Sequence, residues 1–318
     1  MLNKKFSFIE APVYQGQKHF GVSLGSAFLR QMLLDQCYKF DSFSTLAAQS
    51  STEINLDIYE ELSYLVERET RRQKLIFVAG GDHSLSIGSV QGMLRSYPNL
   101  KVLWVDAHGD INTRSTSTTE SFHGMPLAFL LGLDPLFRET GWFDAYLRPE
   151  NLIYFGLRDL DPAELKFLDD LKIQRFSAKD IRESSLETII QKICGDLQNQ
   201  IVHISVDADA FDPSLAPATG VTVSNGLSYR DVERLVEAVL EVADVRCFEY
   251  VELNPQIFEY SSDVFKTAQI GIDLFRCVLE KNKQQEVPHG FDDRFGDTEE
   301  PGLHDPHFEL EEQGLFKS

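Results

Sequence analysis

Two aspartates and a histidine occupy every second position immediately after an apolar run in this sequence. Asp106, His108 and Asp110 follow residues 102–105, which read Val-Leu-Trp-Val. Residues two apart in extended backbone point the same way, so all three side chains would emerge on one side as the strand ends. Carboxylates and imidazoles are common ligands of divalent metal ions. The spacing therefore predicts a metal site, with a strand turning into a polar loop as an equal alternative for this stretch alone.

Two further apolar runs end in comparable polar groups. Residues 201–206 lead into Asp207 and Asp209, and residues 75–79 lead into residues 80–84, which read Gly-Gly-Asp-His-Ser. The glycines allow a tight turn, and a helix-capping loop is the structural alternative there. The three groups together favour one shared metal site. They supply two imidazoles and four carboxylates, namely His83, Asp106, His108, Asp110, Asp207 and Asp209.

This donor set suits two divalent ions that share bridging carboxylates. None of the four cysteines lies near these positions in the sequence, so hard or borderline ions are favoured over a structural zinc site, and Mn²⁺ fits best. Two neighbouring ions can share and acidify one water molecule, which makes hydroxide available near neutral pH. The residues therefore predict hydrolytic chemistry.

Short apolar runs alternate with helix-like segments along the body of the chain. Strands buried on both faces are predicted at 75–79, 102–105, 152–156, 201–206 and 247–251. Apolar residues at helical spacing predict helices at 86–94, 185–197 and 229–242. The alternation predicts an α/β fold with a mostly parallel sheet and helices on both faces. Ligands of such sheets gather beyond the carboxyl ends of the strands, where all these polar groups fall.

Composition limits the partners of this protein. The 318 residues carry a formal net charge of −20, which argues against nucleic acid and an anionic membrane surface and suits a cationic small molecule. No apolar run is long enough for a membrane span, and the N-terminus lacks a signal-peptide core. We therefore expect a cytoplasmic protein. Its four cysteines lie far apart in the sequence and are expected to be reduced core thiols.

The last part of the chain differs in composition from the rest. From Glu286 to the C-terminus there are ten acidic and two basic residues, together with several prolines and glycines. This composition predicts an irregular acidic extension over 285–318, after a single domain over 1–284. Three histidines in the extension have no spacing that is typical of a metal site.

Four spaced motifs carry a resemblance to a known family. They are Gly-Gly-Asp-His-Ser at 80–84, Asp-Ala-His-Gly-Asp-Ile-Asn-Thr at 106–113, His-Gly-Met-Pro at 123–126 and Ser-Val-Asp-Ala-Asp-Ala-Phe-Asp-Pro at 205–213. In this order they resemble the ureohydrolases, which comprise arginase, agmatinase, formiminoglutamase and relatives. The resemblance implies a three-layer α/β/α fold and a binuclear manganese centre at the carboxyl ends of the strands. It also implies hydrolysis of a guanidinium or related carbon–nitrogen bond.

The resemblance assigns the metal ligands position by position. It implies that Asp106 and Asp207 bridge the two ions, so that each ion has four protein ligands. The remaining ligands are His83 and Asp110 for one ion and His108 and Asp209 for the other.

Three catalytic roles are also implied by the resemblance. Asp110 would take the proton of the attacking water and pass it to the leaving amine. His123 resembles the proton-shuttle histidine of the family, with a loop imidazole bonded to backbone as the alternative. Glu252 resembles the residue that orients the guanidinium, a group that offers two parallel N–H donors to a buried carboxylate. A structural ion pair is the alternative for Glu252.

Contacts at the far end of the substrate distinguish arginine from related compounds. The resemblance to arginases implies that Asn112 contacts the α-carboxylate. It implies that Asp161 and, less directly, Glu164 engage the α-amino group. Thr119 and Ser121 stand where arginases commonly carry serine and asparagine, and are expected to replace part of their hydrogen bonding.

Three nearby residues raise questions about this substrate assignment. Glu120 brings a negative charge close to the expected carboxylate, which it would repel unless it points outward. Val221 stands where arginases usually have a threonine, and it lacks the hydroxyl group that could steady Glu252. Arg114 could contact the carboxylate or pair with Glu120, and an exposed loop arginine is the alternative.

The leading hypothesis is a manganese enzyme most like arginase, which cleaves L-arginine to L-ornithine and urea with a metal-bridging hydroxide as nucleophile. One alternative is a sister ureohydrolase that acts on agmatine, formiminoglutamate or a guanidino acid. Another is a non-catalytic homologue that binds metal or ligand. The expected partners are a cationic guanidino substrate and further copies of the chain, as a trimer or hexamer.

Overall fold

A parallel sheet forms the centre of the part of the chain that the computed structural model describes, residues 6–47 and 54–281. Its eight strands lie in the order β2-β1-β3-β8-β7-β4-β5-β6, and every neighbouring pair in these residues is parallel. The strands are β1 (Phe6–Ala11), β2 (Ser42–Thr45), β3 (Leu75–Gly80), β4 (Lys101–Val105), β5 (Leu152–Leu157), β6 (Gln174–Ser177), β7 (Ile201–Asp207) and β8 (Asp244–Val251).

Helices cover both faces of this sheet. One face carries α1, α6, α7, α8 and α9, and the other carries α2, α3, α4 and α5. The helices are α1 (Ser23–Asp35), α2 (Asp57–Arg71), α3 (Ser86–Ser96), α4 (Pro126–Leu130), α5 (Pro162–Asp170), α6 (Ala178–Glu183), α7 (Leu186–Leu197), α8 (Tyr229–Val242) and α9 (Ser261–Lys281).

Alternating strand residues divide the core into two layers. In β4, Leu103 and Val105 pack in one apolar cluster, whereas Val102 and Trp104 pack in the other. This two-sided burial explains why the central strands read as continuous apolar runs rather than as alternating patterns. The three-layer α/β/α prediction is confirmed, and the sheet is wholly parallel over the described residues rather than mostly so.

The sequence patterns located five of the eight described strands and missed the two edge strands and β1. The helix predicted at 229–242 coincides with α8, which begins after Ser228 because Ser228 and Asp231 form a capping box. The strands β1, β2 and β6 were not predicted. The edge strands β2 and β6 are short, at four residues each, and read Ser-Phe-Ser-Thr and Gln-Arg-Phe-Ser, so they carry no apolar run.

The cysteines are only partly as expected. Those in the described residues are free thiols, but Cys37 is exposed just beyond α1, and only Cys247 is fully buried. The expectation of four core thiols is therefore wrong.

The predicted acidic extension, residues 285–318, lies outside the described residues, so the division at 284 stays a prediction. No helix within 6–47 and 54–281 has the length and apolar character needed to cross a membrane.

Candidate metal centre and active site

The predicted site residues meet at the carboxyl ends of adjacent central strands. β3, β8, β7 and β4 are neighbours in the sheet. His83 follows β3, Glu252 follows β8, Asp207 ends β7, and Asp106 follows β4. The chain places β3 and β4 early and fills the gap between them later with β7 and β8. Such a break in strand order leaves a crevice beyond the strand ends, where α/β proteins bind ligands.

The first donor cluster is centred on His83. Its Nδ1 atom lies 3.1 Å from Asp106 Oδ2, 3.1 Å from Asp110 Oδ2 and 3.0 Å from Asp207 Oδ2. This nitrogen is buried and makes no hydrogen bond of normal geometry with any described residue. The other ring nitrogen, Nε2, lies 2.8 Å from Ser205 Oγ. When Nε2 donates to Ser205, Nδ1 points its lone pair at three carboxylates, an arrangement that a bound cation would stabilise.

The second donor cluster is centred on His108. Its Nδ1 atom lies 3.1 Å from Asp209 Oδ2 and 3.6 Å from Asp106 Oδ1. Asp106 thus turns one oxygen towards each cluster, as a bridging ligand would. Asp207 turns Oδ2 to the first cluster, while its Oδ1 accepts a hydrogen bond from the Asp209 backbone N–H at 2.8 Å.

The carboxylates of both clusters are buried close to one another. Burial and the charge of Asp106 raise the pKa of Asp110 to about 6. Burial and the charges of Asp209 and Asp106 raise the pKa of Asp207 well above its usual range. Buried like charges are costly unless a cation or proton neutralises them. Four carboxylates and two imidazoles without a thiolate fit hard or borderline divalent cations.

Glu252 and His123 lie together beside these clusters. His123 Nδ1 is 3.2 Å from Glu252 Oε1, which also accepts the His83 backbone N–H at 2.9 Å. Burial favours neutral His123, but its hydrogen bond to Glu252 and the charge of that carboxylate outweigh burial and raise its pKa to about 9. Glu252 and Asp110 have φ angles of 64° and 49°. Such left-handed backbone is strained for residues other than glycine and is common at functional sites.

A cleft opens over the clusters and Glu252. Its walls include every residue predicted to bind substrate, and also Ser117 and Val221. No lysine or arginine belongs to the described residues that line it. The predicted substrate-binding residues in its walls are Asn112, Thr119, Ser121, Asp161, Glu164 and Glu252.

Comparison with known proteins identifies the family of this chain. The model of the Arginase family matches residues 4–280. The chain belongs to the arginase family. Members of this family are metal-dependent hydrolases that act on guanidino carbon–nitrogen bonds. The predicted resemblance to ureohydrolases, and to arginase in particular, is confirmed.

Individual relatives agree with this assignment. The mitochondrial Arginase-2 of Rattus norvegicus is 34% identical over 300 residues, which cover 87% of this chain and 85% of the relative. A crystal structure of Entamoeba histolytica arginase in complex with L-ornithine matches with a TM-score of 0.77 and 28% identity, over 87% of this chain and 99% of that one. A Bacillus subtilis formimidoylglutamase matches with a TM-score of 0.73 over 89% of this chain and 88% of that one. Its 19% identity shows the fold alone.

Glu120 and Arg114, whose effect on a substrate carboxylate the sequence left open, are absent from the described cleft wall. Glu120 is exposed and is absent from the described cleft wall. Arg114 donates to both carboxylate oxygens of Asp134, at 2.8 Å to Oδ1 from Nη2 and at 3.2 Å to Oδ2 from Nε. The hypothesis that Arg114 contacts a substrate carboxylate or pairs with Glu120 is therefore wrong, because the nearer Asp134 engages its guanidinium.

Asp161 and Glu164 are hydrogen-bonded to the loop after β4. Asn112 Nδ2 donates to Asp161 Oδ2 at 2.9 Å. The two oxygens of Glu164 accept the backbone N–H groups of Asp161, at 2.9 Å, and Ile111, at 3.3 Å. Burial raises the pKa of Glu164 to about 7. Glu164 thus caps α5 and ties it to the loop after β4, while Asp161 presents a carboxylate to the cleft.

Sequence reasoning missed several residues that hold the site in place. Trp104 Nε1 donates to Asp106 Oδ2 at 2.9 Å, and its ring stacks on His83 with centroids 4.1 Å apart. Gln17 Nε2 donates to Glu252 Oε2. Trp104 and Ser205 each lie on a strand, two residues before a predicted ligand, so strand periodicity could have pointed to both.

Proposed function

We propose that this protein is a manganese-dependent arginase that cleaves L-arginine to L-ornithine and urea. The observation that carries the proposal is the single cleft that joins both donor clusters and the buried Glu252 at its inner end to Asp161 and hydroxyl groups at its outer end. A guanidinium at the inner end would meet the Glu252 carboxylate, and an amino group at the outer end would meet Asp161. Arginine carries both groups.

The donor clusters would hold two Mn²⁺ ions. The first cluster offers His83, Asp110 and Asp207, the second offers His108 and Asp209, and Asp106 faces both. When bound, such ions act as Lewis acids and lower the pKa of a water molecule.

The chain's own residues would orient the substrate and move protons. Glu252 is held by the His83 backbone N–H and by Gln17, so its carboxylate is fixed before a guanidinium arrives. Asp110 lines the cleft at the edge of the first donor cluster, so its carboxylate is placed to accept a proton and release it to the leaving amine. His123 lines the cleft beside Glu252 and can exchange protons with solvent.

The second candidate is a sister ureohydrolase, and one observation favours it. No lysine or arginine lies in the described cleft wall, so at the outer end a substrate carboxylate would depend on neutral donors such as Asn112, Ser117 and Thr119. Agmatine lacks that carboxylate and needs no such donors. The donors are nonetheless numerous at the outer end, which supports arginine as the first choice.

A substrate panel separates the candidates. Protein loaded with Mn²⁺ is assayed for urea release from L-arginine, agmatine and guanidinobutyrate, and for formamide release from formiminoglutamate. We expect L-arginine to have the highest kcat/KM. Agmatine turned over as fast as arginine would contradict the proposal, and no turnover of any compound with two bound ions would support a non-catalytic homologue.

Assembly and location are further parts of the proposal. We infer a homo-oligomer, a trimer or hexamer, in the cytoplasm. Sedimentation of the full chain tests the assembly, and a monomer mass would contradict it. Fractionation of the source cells tests the location. Recovery in mitochondria, the compartment in the name of the rat relative, would contradict the cytoplasmic proposal.

A further inference from the structure

Arg158 directs its guanidinium at main-chain carbonyl groups behind the second donor cluster. Nη2 donates to the carbonyl oxygens of Asp209 at 2.6 Å and Val223 at 2.9 Å, and Nη1 donates to that of Ala210 at 3.1 Å. In all, five carbonyl oxygens surround this guanidinium. The longer contacts, of 3.3 and 3.4 Å, reach the carbonyl oxygens of Phe211 and Gly156.

The backbone at Arg158 holds the other loop of the same cluster. The N–H groups of Arg158 and Asp159 donate to the Ala107 carbonyl oxygen at 2.8 and 3.0 Å. Ala107 stands between the donors Asp106 and His108. One residue therefore fastens both loops that form the second donor cluster, by its backbone on one side and its side chain on the other.

The choice of carbonyl partners has a chemical consequence. A guanidinium that paired with the Asp209 carboxylate would compete with a metal ion for the same oxygens. Arg158 instead contacts the Asp209 carbonyl group and leaves the carboxylate turned towards His108. Lysine could not replace it fully, because an ammonium has three donors at one point whereas the planar guanidinium has five spread over a fork.

We propose that Arg158 is a positioning residue for the metal ion of the second donor cluster. It holds the 209–211 backbone against the Ala107 loop, so that Asp209 and His108 keep the separation that a shared ion requires. The first donor cluster receives none of these side-chain contacts. The inference rests on the proposed two-ion centre and adds a determinant of how tightly one of the two ions is held.

The test measures metal binding rather than turnover. Full-length protein is stripped with a chelator and titrated with Mn²⁺ alone, with free ion followed by electron paramagnetic resonance and heat by calorimetry. The variants are Arg158→Met, which removes the donors, and Arg158→Lys, which keeps the charge. The matched control is Arg175→Met, since Arg175 lines the same surface pocket as Arg158 but donates to Asp169.

We expect wild type and Arg175→Met to bind two ions with the same affinities. Arg158→Met should bind one ion as wild type does and the other about 10- to 100-fold more weakly, as is typical when a group that supports a ligand is lost. Arg158→Lys should fall between them. The coupled two-ion spectrum should accordingly appear in Arg158→Met only at higher Mn²⁺ concentration.

Three outcomes have distinct meanings. Both ions bound by Arg158→Met as tightly as by wild type would overturn the inference, and so would equal weakening of both ions, which indicates a general structural role. If Arg158→Met does not fold by circular dichroism, Arg158→Lys decides by the same two criteria. Fewer than two ions in wild type would contradict the proposed function instead.

Discussion

The inner and outer parts of the cleft are constructed in different ways. The inner part, with both donor clusters and Glu252, stands at the ends of four adjacent strands and is almost wholly buried. The outer part, with Ser117, Thr119 and Ser121, lies on a loop between β4 and α4 and is partly exposed. Strand ends in a packed sheet have few alternative positions, whereas loops tolerate change. The inner part would therefore set the reaction, and the outer part the choice of substrate.

The largest effect is expected at the inner part, from Asp110→Ala. This change removes a carboxylate oxygen 3.1 Å from His83 Nδ1. We expect loss of one metal ion and a fall in turnover of about 10³-fold or more, measured by metal analysis and urea release. The matched control is Asp134→Ala, since Asp134 is also buried but pairs with Arg114 outside the clusters. Two ions retained in Asp110→Ala would show that the ligand assignment is wrong.

Glu252→Gln should separate substrate orientation from metal binding. The amide keeps the shape of the side chain but loses the charge that a guanidinium needs. We expect both ions to be retained while kcat/KM for arginine falls about 10²- to 10³-fold, equivalent to roughly 3–4 kcal/mol of transition-state stabilisation. Unchanged kcat/KM would show that Glu252 does not bind the guanidinium and has only a structural role through its contacts with Gln17 and His83.

Ser117→Ala should have a smaller effect that depends on the substrate. The hydroxyl lines the outer cleft, where we place the arginine carboxylate. One lost hydrogen bond is worth about 1–2 kcal/mol, so kcat/KM for arginine should fall about 5- to 30-fold. Agmatine, without a carboxylate, should be affected less than twofold. Equal losses for both substrates would indicate that the loop, rather than a carboxylate contact, was disturbed.

The smallest effect is expected from Glu120→Gln. Glu120 is exposed, and the described cleft wall does not include it, so its charge is screened by solvent. We expect KM for arginine to change less than twofold at physiological ionic strength. A severalfold lower KM in the variant would show that Glu120 repels the substrate carboxylate. Glu120 would then have to be counted with the outer part of the cleft rather than with the exposed surface.

Residue patterns were informative where strands and chemistry coincide. Asp106, His108 and Asp110 were predicted to share a site, and they do, although they lie on the loop after β4 rather than in extended backbone, and His108 and Asp110 face different clusters. A parallel sheet brings its strand ends to one edge. The same reasoning failed for Arg114, which was considered as a carboxylate contact or a partner of Glu120. Its actual partner, Asp134, follows α4 and is 20 residues away in the chain. Nothing in the local pattern pairs these two residues.

The sequence by itself determined the alternation of the central strands with helices, the donor set and the family, because apolar periodicity and ligand types are local properties. Only the tertiary structure decided which oxygens face which nitrogens, that Glu120 lies off the cleft wall, and that Arg158 joins two loops that each lie about 50 residues from it in the chain. These features depend on the sheet order β3-β8-β7-β4-β5, which inserts late strands between early ones. Contacts created by that insertion join distant segments, and no local spacing encodes them.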